Sequence, residues 1–139
     1  MKEITIKEVE DLAFSLARKH LAFTEPIPAF STRFPNILES STAAPFQTFG
    51  QKPLYRGLTA KAAILFYLMI KNHPFANGNK RIAMTTLFLL LYKNHKWLKI
   101  DIQELYNFTM WITQSNPSLK KETVQAIEKL LQIHLIDLA

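Results

Sequence analysis

Two apolar stretches separated by a short polar turn constrain the fold of this chain more than any other feature. They cover residues 62–70 and 82–92, and both are too short to span a bilayer. A helix that is apolar almost all round is normally buried, so each stretch predicts a helix at the centre of a bundle. We place these helices at about residues 59–70 and 79–92, with the first ending near His73-Pro74.

Amphipathic segments precede and follow this pair. Thr5 and Glu8 have the spacing of a capping box, which predicts a helix reaching about His20. Its expected apolar face is Val9, Leu12, Ala13, Leu16 and Ala17. A short helix is predicted over residues 36–44, stopped by Pro45. Another is predicted to begin after Asp101 as its N-cap, with Leu105, Tyr106 and Ile112 facing inward. The last is predicted from about Leu119 onward, and the apolar residues on one of its sides are Val124, Ile127, Leu131 and Leu135.

Two stretches interrupt the helical pattern. Residues 24–30 contain two prolines and predict a loop, and residues 45–57 hold prolines and glycines between apolar residues, which predicts a loop or a small hairpin. The sequence therefore predicts an all-α fold in a single domain over residues 1–139. We expect a compact helical bundle with two buried central helices and a small flap.

Composition narrows the functional classes. The chain has no cysteine, which removes disulfides, thiolate metal sites and cysteine nucleophiles. Its first residues carry acids and no apolar run, so we expect a cytoplasmic protein without a signal peptide or a membrane partner. The net charge of +6 fits solvated helix faces, a nucleotide or an acidic protein partner. Direct nucleic-acid binding is not expected, because no zinc-finger, basic-zipper or RNP pattern accompanies the basic residues.

The turn between the central helices carries groups that suit a phosphate. Gly78 and Asn79 stand where a loop becomes a helix, and free backbone N–H groups and the helix dipole make such a place an anion site. Lys80 and Arg81 occupy the first helical turn, where cations are disfavoured unless an anion is bound. His73 is suited to accept a proton near neutral pH. Each feature alone also fits a helix cap, an ordinary turn or a solvated cation; together they predict a phosphate-handling active site.

The turn, HPFANGNKR, resembles the signature of the Fic/Doc family, which reads His-x-Phe-x-Asp/Glu-Gly-Asn-Gly/Lys-Arg. The lysine at the eighth place is similar to the Doc, or death-on-curing, branch. The segment APFQTFG at residues 44–50, with Leu54-Tyr55 after it, resembles the flap of the family. The resemblance covers residues 33–101 well and the two ends loosely.

This resemblance implies roles for individual residues. His73 is the expected general base that deprotonates a target hydroxyl, and Phe75 is the expected packing anchor of the loop. Asn77 would face a magnesium ion through its amide oxygen. The implied phosphate ligands are Gly78, Asn79, Lys80 and Arg81. The flap residues implied to dock the target segment are Phe46, Phe49, Leu54 and Tyr55.

The Doc branch implies a toxin that transfers a phosphoryl group from ATP, or another nucleoside triphosphate, to a threonine or serine of a translation factor, elongation factor Tu. Magnesium is the implied cofactor. The inhibitory motif of some relatives, Ser/Thr-x-x-x-Glu-Gly/Asn, fails at the last place in residues 118–123. We therefore expect a separate antitoxin chain, acidic and partly disordered, that folds onto a groove of this basic domain.

Two alternatives stay open. One is the transfer of AMP on the same scaffold. Three residues differ from the adenylylating relatives: Asn77 replaces their acid, Lys80 replaces their glycine, and Met84 replaces their second arginine. The other is a catalytically silent protein that binds its antitoxin and tunes DNA binding by the pair. Asn77 keeps this alternative open, because a neutral amide binds a hard cation more weakly than a carboxylate.

Overall fold

The two apolar stretches form the centre of the structure. A computed structural model, which describes residues 1–21 and 26–138, shows them as α4 (Gly57–Lys71) and α5 (Asn79–Lys93), packed against each other. Both helices bury side chains on most of their circumference, which accounts for the lack of a polar face in their sequences. The all-α prediction with two buried central helices is confirmed. In the described part of the chain, no helix has the length and apolar character to cross a membrane.

The N-terminal helical region consists of three consecutive segments: α1 (Ile6–Glu8), a π-helical turn (Val9–Phe14) and α2 (Ser15–His20). The predicted capping box is present. The backbone N–H of Glu8 donates to Thr5 Oγ1 at 3.1 Å, and the backbone N–H of Thr5 donates to Glu8 Oε1 at 2.9 Å. The predicted end near His20 is confirmed.

The π-helical turn changes which side chains of this region face the core. Val9 and Ala13 are buried, but Leu12 and Leu16 are 46% and 47% exposed, so their predicted inward position is wrong. A π turn holds more residues than an α turn, and the following side chains are therefore rotated about the helix axis. The carbonyl of Ala13, within this turn, accepts a hydrogen bond of 2.7 Å from Thr85 Oγ1 on α5.

The region between the first helical segments and α4 follows the prediction closely. Helix α3 (Pro35–Ala43) ends before Pro45 as expected, and the chain continues through that proline in a 3-10 turn (Ala44–Phe46). Of the loop predicted over residues 24–30, Thr24 and Glu25 lie outside the described residues. Residues 26–29 are irregular, and a 3-10 turn begins at Phe30.

The flap is a hairpin, the second of the two predicted possibilities. Strands β1 (Thr48–Phe49) and β2 (Lys52–Pro53) pair antiparallel. Gly50 and Gln51 connect them with φ values of 56° and 66°. Two consecutive positive φ angles are what a type I′ turn requires, one of the two common turns of two-residue hairpins, and glycine adopts the first at little cost.

The C-terminal third packs two helices against the central pair. Helix α6 (Ile102–Gln114) begins as predicted, because Asp101 accepts a hydrogen bond of 3.2 Å from the N–H of Glu104. Leu105 and Ile112 are buried, and Tyr106 is partly buried. Helix α7 (Lys120–His134) follows a 3-10 turn (Pro117–Leu119) and buries Ile127 and Leu131, with Val124 partly buried.

A second pair of strands was not predicted. Strand β3 (Lys96–Leu98) follows α5 and pairs antiparallel with β4 (Leu135–Asp137) after α7. Leu135 is therefore a strand residue, and its predicted place on the last helix is wrong. Lys96 and Asp137 pair across the two strands and form an ion pair.

Candidate active site

An aromatic side chain anchors the turn between α4 and α5. Phe75 is buried, with its ring centroid 5.6 Å from that of Phe14 and 5.9 Å from that of Phe30. The N–H of Phe34 donates to the carbonyl of Pro74 at 2.8 Å, which ties the turn to the start of α3. The structure thus places Phe75 in the core beneath the turn together with the buried Pro74, while Ala76, the next residue, is exposed and lines the cavity described below.

Asn79 closes the turn with both ends of its side-chain amide. Its Oδ1 accepts from the N–H of Phe75, and its Nδ2 donates to the carbonyl of Phe75, both at 2.9 Å. We call this pair of hydrogen bonds the Asn79 clasp. The sequence predicts Asn79 as a ligand of the anion. The structure uses its side chain to shape the loop, so its contribution to an anion site comes from the backbone N–H at the start of α5.

Gly78 lies at the N-cap of α5, and no other residue fits there without a shift. Its φ is 79°, in the left-handed region that favours glycine. A Cβ at this position would lie 2.7 Å from Cγ1 of Ile27, which covers the turn from outside. The carbonyl of Gly78 accepts from the N–H of Ile82 at 2.9 Å and so starts the helical hydrogen bonds. The close approach of Ile27 leaves no room for a side chain at the start of α5.

A cavity of about 240 Å³ opens beside this helix start. The residues that line it are Ile70, His73, Ala76, Asn77, Gly78, Asn79, Lys80, Arg81, Tyr106 and Thr113. Among the residues that the structure describes, no aspartate or glutamate lines the cavity, whereas a lysine, an arginine and the positive end of α5 do. Because these groups share one sign of charge, the cavity has the electrostatics of an anion site.

The two cations of the first turn differ in their surroundings. Arg81 is 5% exposed, and its Nη1 donates to the carbonyl of Leu21 at 3.3 Å. Lys80 is partly exposed, and no acidic side chain among residues 1–21 and 26–138 forms an ion pair with it. Arg81 therefore has a structural bond beside its place in the cavity wall, while Lys80 is the more accessible of the two charges.

His73 lies at the end of α4 with a φ of 50°. It follows Asn72, the C-cap residue, at the position where helices usually place a glycine. Left-handed backbone costs a residue with a side chain about 1–2 kcal/mol relative to glycine. The imidazole is exposed and lines the cavity. A strained residue at the edge of an anion site is a candidate for chemistry, because the fold alone would favour glycine there.

The oxygen donors of the site bear on whether it holds a metal ion. Two asparagines, Asn77 and Asn79, line the cavity, and the side-chain oxygen of Asn79 is used in the Asn79 clasp. The side-chain oxygen of Asn77 accepts a hydrogen bond of 2.7 Å from the N–H of Gly78. In the described part of the chain, no group of His, Asp and Glu residues has the arrangement of a metal site. This donor set fits magnesium held mainly by the phosphates of a nucleotide, with Asn77 as one neutral ligand.

The flap residues lie outside the cavity wall. Phe49 is 80% exposed at the hairpin tip, and Leu54 is also exposed, whereas Phe46 and Tyr55 are partly buried. Lys61, a buried residue of α4, donates from Nζ to the carbonyl of Tyr55 and thereby fixes the end of the hairpin to the central helix. The exposed apolar tip and the open strand edges suit a peptide that adds a strand.

Three residues outside the turn line the cavity and were not predicted from the sequence. They are Tyr106 and Thr113 of α6 and Ile70 of α4. Tyr106 was expected to face the core, and its inward direction was the available signal. The spacing from Tyr106 to Thr113 is two helical turns, so both stand on one face of α6. Their proximity to the turn results from the tertiary packing of α6, and no local sequence pattern encodes that packing.

These features define a helical protein with a cavity that is cationic at the start of α5 and has an exposed histidine at its edge. A sequence model of the Fic/DOC family matches residues 3–91, which is more than half of the chain and includes the whole turn. The chain therefore belongs to the Fic/DOC family. Members of this family are typically nucleotidyl or phosphoryl transferases that act on proteins. Comparisons with curated proteins and with solved structures find no match.

The left-handed backbone of His73 leads to a prediction about stability. Glycine adopts this conformation freely and alanine does not, so we expect His73→Gly to exceed His73→Ala in free energy of unfolding by about 1 kcal/mol. Urea denaturation measures the difference. Equal stability of the two variants would show that the turn relaxes when the imidazole is removed.

The Asn79 clasp leads to a second prediction. Asn79→Ala leaves the backbone N–H and carbonyl of Phe75 without their partners, and we expect a loss of about 1–3 kcal/mol in unfolding free energy. Asn107→Ala on the exposed side of α6 is the control, with an expected change within about 0.5 kcal/mol. If Asn79→Ala were as stable as the control, the clasp would not hold the turn.

Proposed function

We propose that this chain is a toxin that transfers the γ-phosphoryl group of ATP, or of another nucleoside triphosphate, to a threonine or serine hydroxyl of a target protein. The observation that carries the proposal is the cavity itself, which joins the cationic start of α5 to an exposed histidine. Membership of the Fic/DOC family supports a transferase acting on proteins. The target class, by resemblance to the Doc branch, is a translation factor, elongation factor Tu.

In the proposed reaction, the target hydroxyl gives its proton to the imidazole of His73. The hydroxyl oxygen forms a bond to the γ-phosphorus, the bond from that phosphorus to the bridging oxygen breaks, and a nucleoside diphosphate leaves. Lys80, Arg81 and the backbone N–H groups at the start of α5 bind the phosphate oxygens and stabilise their charge. Asn77 would hold, through its amide oxygen, a magnesium ion that comes with the nucleotide, and this ion would supply further neutralisation of phosphate charge.

Two residues favour phosphoryl transfer over transfer of AMP. Lys80 lines the cavity at the place where adenylylating relatives have glycine, so its side chain takes space and adds charge there. Met84, in the place of their second arginine, is fully buried in the core and offers nothing to a phosphate. Such a site suits a nucleotide whose γ-phosphate lies nearest His73. AMP transfer on the same scaffold and a catalytically silent, antitoxin-binding protein are the alternatives.

A separate antitoxin chain is the partner that we propose, and an apolar groove of about 450 Å³ supports it. The groove lies between the N-terminal helical region, α5 and β3, and its lining is Leu12, Leu16, His20, Leu21, Thr85, Phe88, Leu89, Tyr92, Trp97 and Ile102. Leu12 and Leu16 face this groove because of the π-helical turn. An amphipathic helix with an acidic outer face suits it, since the chain has a net charge of +6.

A labelling experiment separates the three possible functions. We expect the protein, with cell extract and magnesium, to label its target from γ-labelled ATP and not from α-labelled ATP. His73→Gly should reduce the rate by about 10²–10⁴, the typical loss when a general base is removed. Lys80→Gly should abolish transfer of the γ-label, and transfer of AMP, seen as the α-label on the target, is the reaction that could replace it.

Lys121→Gly is the matched control, because Lys121 is the second residue of α7 as Lys80 is of α5, and it is exposed. This control should keep the γ-label. Label from α-labelled ATP in the unmodified protein would favour AMP transfer, and no label from either nucleotide would favour the silent protein.

The groove is tested through rescue from toxicity. A library of genomic fragments is screened for clones that restore growth to cells expressing this chain. Leu16→Glu places a charge in the apolar groove, so we expect a rescuing clone to lose its effect on that variant. Ile133→Glu, on an exposed site of α7, should still be rescued. Rescue of both variants alike would place the antitoxin on another surface.

A further inference from the structure

The flap and the cavity lie at opposite ends of α4. Tyr55, at the end of the flap, comes just before the first residue of this helix, whereas His73 comes just after its last residue. Helix α4 has 15 residues, and an α-helix rises 1.5 Å per residue, so Tyr55 and His73 are separated by roughly 20 Å along the helix axis. Among the described residues that line the cavity, none belongs to β1, β2 or the turn between them.

Helix α3 gives the same arrangement independently. It begins beside the active-site turn, where the N–H of Phe34 donates to the carbonyl of Pro74, and it ends at Ala43, shortly before the flap. From the hydrogen bond between Leu54 and Gln47 at its base, the flap extends only about 10 Å to its tip. That length is about half of the separation along α4. The flap is therefore a surface distinct from the cavity.

A buried lysine fixes the flap to the central helix. Lys61 Nζ donates to the carbonyl of Tyr55, and the lysine side chain is 9% exposed. No acidic side chain in the described part of the chain forms an ion pair with this ammonium group. An unpaired cation that is buried near the positive end of a helix is unfavourable for stability. The fold alone would favour an apolar residue at position 61, so the lysine indicates that the position of the flap matters for function.

One edge of the flap is better suited to bind another strand than the other edge. The N–H of Leu54 donates to the carbonyl of Gln47 at 3.1 Å. Hydrogen-bonded and non-hydrogen-bonded pairs alternate, so the backbone groups of the next pair, Thr48 and Pro53, point outward. Pro53 has no N–H, and the outer edge of β2 offers only a carbonyl there. Thr48 offers both an N–H and a carbonyl, so an added strand would pair with β1.

The charge of the flap limits which strand would bind. Lys52 and Arg56 are exposed, and residues 40–100 contain no aspartate or glutamate. Phe49 is paired with Lys52 in the register, so both side chains stand on one face of the flap, and Phe49 is 80% exposed. An extended segment that carries an acidic and an apolar side chain has the complementary chemistry.

We propose that the flap docks an acidic, extended segment of the target protein, and that this segment is separate from the one that carries the acceptor hydroxyl. The inference rests on the proposed function, because it assumes that the chain modifies a protein. It adds a property that the target must have: two segments roughly 20 Å apart, one for β1 and one for His73. The folded structure of the target then determines which hydroxyl reaches the cavity.

Steady-state transfer of the γ-label to two substrates tests the docking site. The first substrate is the intact protein that is labelled in cell extract, after its purification. The second is a peptide of about seven residues centred on the labelled hydroxyl, which extends about 10 Å to either side and cannot reach the flap from the cavity. The peptide should have a KM at least about 10-fold above that of the intact target, or take no label, because it lacks the second contact. Equal KM values for the two substrates would overturn the docking site.

Two variants change the flap without touching the cavity. Thr48→Pro removes the outward N–H of β1 and no hydrogen bond within the flap. The preceding residue, Gln47, has a φ of −71° and a ψ of 151°, which is the backbone that proline requires before it. Lys52→Glu reverses the charge of the flap. Each change should raise the KM for the intact target by roughly 3- to 10-fold, and the effect should appear in KM and not in kcat.

The dependence on salt gives a second measurement. Because salt screens charge pairs at the surface, added salt should raise the KM of the unmodified protein for the intact target, and should raise that of Lys52→Glu less. Thr48→Val keeps the N–H and is the control for Thr48→Pro. Lys129→Glu, at an exposed site of α7, is the control for charge reversal. Both controls should keep the KM of the unmodified protein.

The outcomes separate the inference from the proposed function. An unchanged KM for the intact target in Thr48→Pro and Lys52→Glu would overturn the docking site and leave the transfer reaction in place. The same conclusion would follow from a loss of kcat, or from an equal rise in KM for the peptide, since either effect would act through the cavity. If no protein in the extract took the γ-label from the unmodified enzyme, the proposed function would be wrong, and this inference with it.

Discussion

The packing of α4 against α5 is the constraint on which the site depends. Both helices are apolar on most of their surface, so they must occupy the centre of the molecule, and the turn that joins them is carried close to the core. The first backbone N–H groups of α5 have no partners within the helix, and a helix start beside the core needs partners for them. The N–H of Gly78 donates to the side-chain oxygen of Asn77, and an anion in the cavity would accept hydrogen bonds from other N–H groups. The cationic cavity at the start of α5 is thus a consequence of burying these two helices next to each other.

Three residues that depart from local rules meet in this turn, and all three line the cavity. His73 accepts a left-handed backbone, which directs an exposed imidazole to the edge of the cavity. Lys80 and Arg81 stand at the end of α5 where the dipole disfavours cations. Arg81 is also nearly fully buried, with the carbonyl of Leu21 as one partner. Strain of this kind persists only where the surroundings enforce it, and here the enforcement comes from Phe75 in the core and the Asn79 clasp.

The elements that could be predicted from sequence are those encoded by local patterns. The buried central helices follow from their uniform apolar content, and the capping box at Thr5 and the cap at Asp101 follow from single side chains. Strands β3 and β4 could not be predicted, because three-residue strands carry no usable alternation and their pairing joins distant parts of the chain. Leu12 and Leu16 were misplaced because a π turn shifts the helical period and leaves no mark in composition.

Within the site, the motif predicted which residues gather and was less informative about what each side chain does. Asn79 shows the difference, since both ends of its side-chain amide bond to the backbone of Phe75 within the turn. An intact motif therefore demonstrates an intact turn more directly than it demonstrates a reaction. The rest of the cavity lining consists of groups that meet the turn only through tertiary packing. Tyr106 and Thr113 of α6 lie beyond residues 3–91, which the family model matches, so the motif by itself does not determine the side of the cavity that they form.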